Sequence, residues 1–390
     1  MKNIKFILIA SFFAFSSQTQ AKTSILNKTL KVNSFDKKKD KYTIKGNVQG
    51  FEDGTKVYIN EQGEQGFVKI DSTEIKGGTF EFKGSATEPD IKFLELGTTE
   101  EFVVPFILEN GEIKVTYDKA KPEDSKVVGT KNNDYLAAYN TEAFKLQKAA
   151  RDFQEQNNEK MMQAQQTQDM ATMESLMAEY NKFGEEIKKQ NKDYVSKNKD
   201  AYISLLLLEQ LTASQAITSE EFKTYYDALD STLKTTKKGK ELAEKLATME
   251  KVAVGKMAPD FSAPNPEGKM VSLKESLGKV TIIDFWAAWC GPCRQENPNI
   301  VALYNKYKDQ GLAIIGVSLD KDAEAWKKAI ADDNLTWTQV SNIKHWQDPI
   351  AKEYNVQSIP AMFVLDASGK IVAKDLRGAE LDAKIAELLK

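Results

Sequence analysis

Two cysteines and one histidine are the whole supply of thiol and imidazole groups in this 390-residue chain. Both cysteines fall in Trp289-Cys290-Gly-Pro-Cys293, directly after an apolar run that reads as a buried strand and at the start of a segment that reads as a helix. Unpaired N–H groups and the positive end of the helix dipole gather at such a position, so a thiolate at Cys290 is stabilised there. Two intervening residues place Cys293 within one helical turn, close enough for a reversible disulfide that resolves a mixed disulfide. The same spacing also fits a structural disulfide or half of a zinc site. A bridge closing so short a loop contributes little unfolded-state entropy, and a zinc half-site has no second Cys pair to complete it. Redox chemistry is the reading that remains.

The rest of the composition narrows the alternatives. Lys and Arg total 54 against 57 Asp and Glu, a formal charge of -3, so no global basic field points to nucleic acid. A single His, His345, excludes sites that need several imidazoles, and with two Cys it excludes a four-ligand structural zinc, so no metal and no cofactor are expected. His345 follows Lys344 in a polar stretch and reads as a surface residue.

Positioning these residues requires several folded units, as a length of 390 suggests. Residues 1–21 read as a signal peptide: a basic start at Met1 to Lys5, an apolar run from Phe6 to Phe15, and small residues ending at Ala21. No Cys lies near that cleavage point, so lipid attachment is not expected, and no later run suits a membrane span. The expected location is the periplasm, as a soluble protein. Residues 22–130 carry short alternating runs (Tyr42/Ile44/Val48, Val57/Ile59, Phe80/Phe82, Phe93 to Leu96, Val103 to Leu108, Ile113/Val115/Tyr117) separated by turn signals, which predicts a small antiparallel sandwich or barrel. Residues 131–251 turn to Lys, Glu, Gln, Ala and Leu, a helical composition, with Thr218-Ser-Glu-Glu221 as a capping box. Five methionines between Met161 and Met177 suggest either a thioether copper(I) site or, the reading favoured here, flexible filling of a helix interface. In residues 252–390 strands at Val280–Phe285 and Leu312–Ser318 alternate with helices at Gly291–Gln310 and Asp322–Ala331. A short helix about Trp346–Tyr354, a hairpin of Ala361–Asp366 with Lys370–Ala373 and a last helix from Ala379 follow, the order of a compact α/β domain.

At this point a resemblance becomes specific. Asp284-Phe-Trp-Ala-Ala-Trp-Cys-Gly-Pro-Cys293, with Ser358-Ile-Pro360 ahead of a strand, resembles the thioredoxin fold. Ala258-Pro-Asp-Phe261, Cys293-Arg-Gln-Glu-Asn-Pro298 and Gly316-Val-Ser-Leu-Asp320 resemble the TlpA/ResA-like branch of thiol-disulfide oxidoreductases within the AhpC/TSA redoxin grouping, over about Val252 to Lys390. The preceding sandwich and helices resemble the DUF4369-type extension found on such proteins in Bacteroidetes. The fold class is thus an α/β thioredoxin fold preceded by an all-β sandwich-like domain and an α-helical region.

The resemblance implies roles. Cys290 is the exposed nucleophile and Cys293 the resolving thiol. Asp284 is the buried carboxylate that relays a proton, and Glu296 the acidic residue after the CxxC. Trp289, Gly291, Pro292, Ile359 and Pro360 form the substrate surface, with Pro360 in a cis bond. Pro298 is expected to kink the active-site helix. Gly316 falls about where thioredoxin has a Lys that partners the buried Asp, which leaves proton handling to Glu296 or water. Gly-Pro between the cysteines resembles reducing thioredoxins, so the resemblance implies a reductase of disulfide-containing client proteins, with apocytochrome c among the candidates and a membrane electron donor of the DsbD/CcdA type. A disulfide isomerase or chaperone that binds clients or dimerises through its N-terminal regions, and a non-redox binding module, are the alternatives, with the oligomeric state open. Thiol peroxidase chemistry is disfavoured, because the positions where peroxiredoxins carry Pro and Thr or Ser hold Ile283 and Ala287.

Overall fold

A computed structural model describes residues 41–63, 66–97 and 102–390, so the expected signal peptide lies outside the described residues. The chain divides into two compact units, Met1–Leu242 and Ala243–Lys390.

Among the described residues, the first unit has eight strands ahead of its helices: β1 (Tyr42–Gln49), β2 (Lys56–Gly63), β3 (Gly66–Glu74), β4 (Thr79–Gly84), β5 (Asp90–Leu96), β6 (Val103–Leu108), β7 (Gly111–Asp118) and β8 (Lys126–Val128). They form two four-stranded sheets, ordered β4-β1-β7-β8 and β3-β2-β5-β6. The inward residues of both, among them Ile44, Phe82 and Val115 from one sheet and Ile59, Leu94 and Phe106 from the other, make one apolar core. The antiparallel expectation needs one correction. β1 and β7 pair in parallel, Ile44 opposite Ile113, because the chain builds the other sheet before returning to the edge of β1. β3 escaped the sequence reading because its Phe67, Val68 and Ile70 are exposed and its pairing with β2 is bulged, which breaks the alternation.

Six helices follow: α1 (Lys131–Thr167), α2 (Met170–Lys197), α3 (Tyr202–Ala213), α4 (Ser219–Ala228), α5 (Ser231–Thr235) and α6 (Lys237–Lys251). The division between the units falls inside α6. Side-chain bonds from α1 fasten the helices to the sandwich. Buried Asn133 accepts the Ile107 N–H at 2.9 Å and donates to its carbonyl at 2.7 Å, completing a strand edge that would otherwise end unpaired. α1 and α2 run antiparallel, tied by Tyr139 Oη donating to Asn191 at 2.8 Å and by the Phe153–Phe183 ring pair. The capping box at α4 is present, Glu221 N donating to Thr218 Oγ1 and Thr218 N donating to Glu221 Oε2. The methionines differ from the favoured reading: Met162, Met170 and Met177 are about half exposed, since the far ends of α1 and α2 bury little beyond Ala164 and Leu176.

The second unit contains β9 (Ser262–Pro264), β10 (Met270–Ser272), β11 (Val280–Trp286), α7 (Gly291–Tyr307), β12 (Leu312–Ser318), α8 (Ala323–Asp332), β13 (Thr338–Val340), α9 (Pro349–Glu353), β14 (Ala361–Asp366), β15 (Ile371–Lys374) and α10 (Gly378–Leu388). Five strands form a mixed sheet, β13-β12-β11-β14-β15, with β11 parallel to β12 and antiparallel to β14. Side chains alternate along β11. Val280, Ile282 and Trp286 face a core completed by α7, α8 and α10, while Ile283 and Phe285 face a second core with Phe261, Ile350 and Tyr354. Each fully buried aliphatic or aromatic side chain contributes about 1.5–3 kcal/mol of transfer free energy, so β11, buried along its whole length, is held firmly between the two cores. Asp284 is the one charged residue on that strand, and its parity puts it on the α7 side.

Candidate active site

The cysteines sit where the strand hands over to the helix. After β11, Ala288 N donates to buried Asp320 Oδ2 at 2.9 Å, and Ser318 Oγ holds the same oxygen at 2.7 Å. This network, which the sequence reading missed, fixes the loop entering the CxxC. Cys290 is the N-cap of α7, its Sγ accepting the Cys293 N–H at 3.2 Å. Gly291 and Pro292 occupy the exposed first turn, where a Pro leaves no hydrogen bond unmade. The Cys290–Cys293 disulfide is formed. Arg294, one residue on, is bidentate to Asp333 beyond the end of α8, and Asn297 Nδ2 donates to Asp333 Oδ2 at 2.6 Å, so the first turns of α7 are clamped from outside. α7 continues through Pro298 to Tyr307.

Burial corrects one expectation. Cys290 is only 4% exposed and Cys293 1%, while the neighbouring Trp289 is 48% exposed. In the oxidised pair Cys290 Sγ is bonded to the more buried Cys293 and lies 3.8 Å from the Ile359 carbonyl oxygen, so the Ile359–Pro360 loop covers it. That peptide bond is cis, as the resemblance implies, and both residues are half-buried.

Asp284 and Glu296 come together with Cys293. They line one cleft of about 10 Å³ with Asn297, Pro360 and Arg377, room for about one water molecule. Burial pushes the Asp284 carboxyl up to about 6; the Arg377 guanidinium opposes that rise and the Glu296 carboxylate adds to it. Glu296 Oε2 accepts from Asn299 Nδ2 at 3.0 Å, but its Oε1 is buried without a partner. The glycine at position 316 has a physical reason. Gly316 lies directly opposite Asp284 in the β11–β12 register, and a Cβ there would fall 2.2 Å from Gln339 Oε1, which accepts the Trp286 Nε1–H at 3.0 Å. The Gln339 amide thus occupies the space a side chain at 316 would enter, and it would have to turn away before a lysine there could reach Asp284.

His345 also needs correcting, from surface residue to neighbour of the site. Its ring lies 5.0 Å from that of Trp289, with Trp346 edge-on to both. A turn with positive φ at Ile343 and His345 brings it there, held by His345 N donating to the Asp320 carbonyl. Sequence distance hid this contact. Since an aromatic pair contributes about 0.5–1.5 kcal/mol beyond burial, His345→Ala should lower the stability of the second unit by about 1 kcal/mol and loosen Trp289. Urea unfolding followed by tryptophan fluorescence checks this; an unchanged midpoint and spectrum would count against a stacked pair in solution.

The AhpC/TSA family matches residues 254–374, and a domain of unknown function (DUF4369) matches residues 42–136. Thiol-disulfide oxidoreductase ResA of Bacillus thuringiensis subsp. konkukian is 35% identical over 141 residues, 36% of this chain and 79% of that protein. The chain belongs to the ResA family of thiol-disulfide oxidoreductases. Thioredoxin-like protein YneN of Bacillus subtilis is 38% identical over 120 residues, 30% of this chain and 68% of that protein. Among solved structures, the thioredoxin domain of a thiol-disulfide oxidoreductase of Bacteroides vulgatus is 38% identical and covers 35% of this chain and 99% of that one, with a TM-score of 0.34. As a family member this chain is a protein disulfide oxidoreductase whose clients contain disulfides, and its second unit is the thioredoxin-like domain that carries the CxxC pair.

Proposed function

We propose that the chain reduces protein disulfides outside the cytosol through the Cys290–Cys293 dithiol. The observation that carries this reading is the position of Cys290 as the cap of α7, its sulfur already accepting the Cys293 N–H. Once the pair is reduced, that N–H and the helix dipole favour a thiolate at Cys290. The thiolate attacks one sulfur of a client disulfide; a Cys290–client S–S bond forms, the client S–S bond breaks, and the departing client sulfur takes up a proton. Asp284, as carboxylate, then accepts the Cys293 proton through the shared cleft, which Glu296 also lines. Cys293 Sγ attacks Cys290 Sγ, releasing the second client thiol and leaving the intramolecular disulfide with two electrons fewer.

Trp289, Gly291 and Pro292 offer the exposed rim beside the sulfurs, and the half-buried Ile359 and cis-Pro360 offer backbone for an extended client segment. A membrane thiol donor of the DsbD/CcdA type would return the electrons, and apocytochrome c, with its paired cysteines, is a client of suitable chemistry. Residues 22–251 contain no thiol and are proposed to select the client. The signal-like start at residues 1–21 supports a periplasmic address. Among the described residues no helix is long and apolar enough to cross a membrane. Equilibration of the full chain with glutathione buffers tests the direction: a reductase should give a potential of about -270 to -200 mV, and a value near about -120 mV, that of a strong oxidant, would overturn the reading.

A further inference from the structure

We propose that Arg377 is a positioning residue of the redox site, the cation that shares the cleft of Asp284, where position 316 offers none, and that at the same time fixes the carbonyl of cis-Pro360. The inference rests on the dithiol reading above and adds to it a residue that no motif marked.

Arg377 stands at the N-cap of α10, far from the CxxC in sequence. Its Nη2 donates to the Pro360 carbonyl at 2.9 Å and its Nη1 to the Leu376 carbonyl at 3.0 Å. Two of its five N–H groups are thereby used on backbone, which holds the planar head in one orientation at the cleft. That cleft contains Asp284, Glu296 and Cys293, and among the described residues Arg377 is the single cation lining it. Two carboxyl groups therefore share this cleft with one guanidinium, beside the thiol that must lose or gain a proton. Burial pulls Asp284 toward the neutral form, Glu296 adds to that pull, and Arg377 opposes it. The same guanidinium holds the Pro360 carbonyl, on the loop whose Ile359 carbonyl sits against Cys290 Sγ. One side chain therefore links the cleft of Asp284 to the surface that meets the client.

Arg377→Gln and Arg377→Met remove the charge, and Arg377→Lys keeps it but loses the planar fork. Single-turnover reduction of insulin by the reduced full chain is measured from pH 5 to 9. Both neutral variants should move the limb assigned to Asp284 upward by at least about one pH unit, the shift an opposite charge at close range produces. Arg377→Lys should leave that limb in place and raise the insulin KM several-fold, because the Pro360 carbonyl loses its partner. Neutral variants with an unmoved limb, or a Lys variant that moves as far as they do, would overturn the proposal. So would a Lys variant that folds while neither neutral one does, since the residue would then be structural. If the reduced wild-type chain fails to reduce insulin at any pH, the functional reading fails instead. The ¹³C titration of the Asp284 carboxyl in oxidised wild type and Arg377→Gln still decides the role of Arg377: an upward move supports it and coincident curves refute it.

Discussion

Cys293→Ala should accumulate client proteins on Cys290 as stable mixed disulfides, while Cys290→Ser should capture none. Steady-state disulfide reduction should fall in both variants by on the order of 10³-fold or more, as expected when an attacking or resolving nucleophile is removed. The asymmetry between the two follows from position. Cys293 is 1% exposed and lies inside the first turn of α7, so an external disulfide has no line of approach to its sulfur. Cys290 lies against the Ile359–Pro360 loop and borders exposed Trp289, Gly291 and Pro292. The hydrogen bond that supports a Cys290 thiolate comes from the backbone N–H of residue 293, which Cys293→Ala retains. The variant therefore keeps its reactivity toward clients and loses only the step that releases them. Non-reducing electrophoresis of envelope extracts, followed by reduction and mass spectrometry of the released partners, reads the result. Equal capture by both variants, or turnover surviving in Cys290→Ser, would reverse the assignment of attacking and resolving sulfurs.

The contrast between what the sequence disclosed and what it concealed has a physical basis. Leu312–Ser318 and Ala361–Asp366 match the strands read from sequence because buried strands of a mixed sheet are continuous apolar runs. The CxxC was legible because both reactive atoms sit three residues apart on one helix start. β9, β10 and β13, each of three residues, are too short to show a period. Arg377, His345, Asp320 and Gln339 reach the site from distant loops or strands, and a lone Arg or His carries no local pattern that forecasts its neighbours. Only Gly316 left a trace of this arrangement, as a missing side chain. The structure shows the Gln339 amide in the space a side chain at that position would enter.

Asp284→Asn should make the second unit more stable above pH 6 and slow the enzyme at the same time. Burial holds the Asp284 carboxyl at about 6 in the folded chain, against an ordinary value of 3.8. A carboxyl raised by folding binds its proton more tightly in the native state, so its contribution to stability is whole below about pH 3.8 and is lost as pH rises through about 6. At neutral pH the loss amounts to about 3 kcal/mol, carried by a strand whose neighbours are all apolar apart from Thr281. Asparagine has nothing to ionise, so the variant should show a flat stability between about pH 4 and 7 where the wild type declines. Part of the gain is cancelled because Arg377 then faces no charge at position 284, leaving Glu296 as its only acidic neighbour among the described residues of the cleft. Urea unfolding of the full chain at a series of pH values measures this directly, since all five tryptophans lie between Trp286 and Trp346 and their fluorescence reports the second unit alone. The rate should move the other way, with insulin reduction at pH 7 falling by about 10² as the proton acceptor for Cys293 is lost. Wild-type and variant stability curves of the same pH dependence would show that Asp284 does not ionise in this range. A stabilised variant with undiminished turnover would show that it ionises but takes no part in the chemistry.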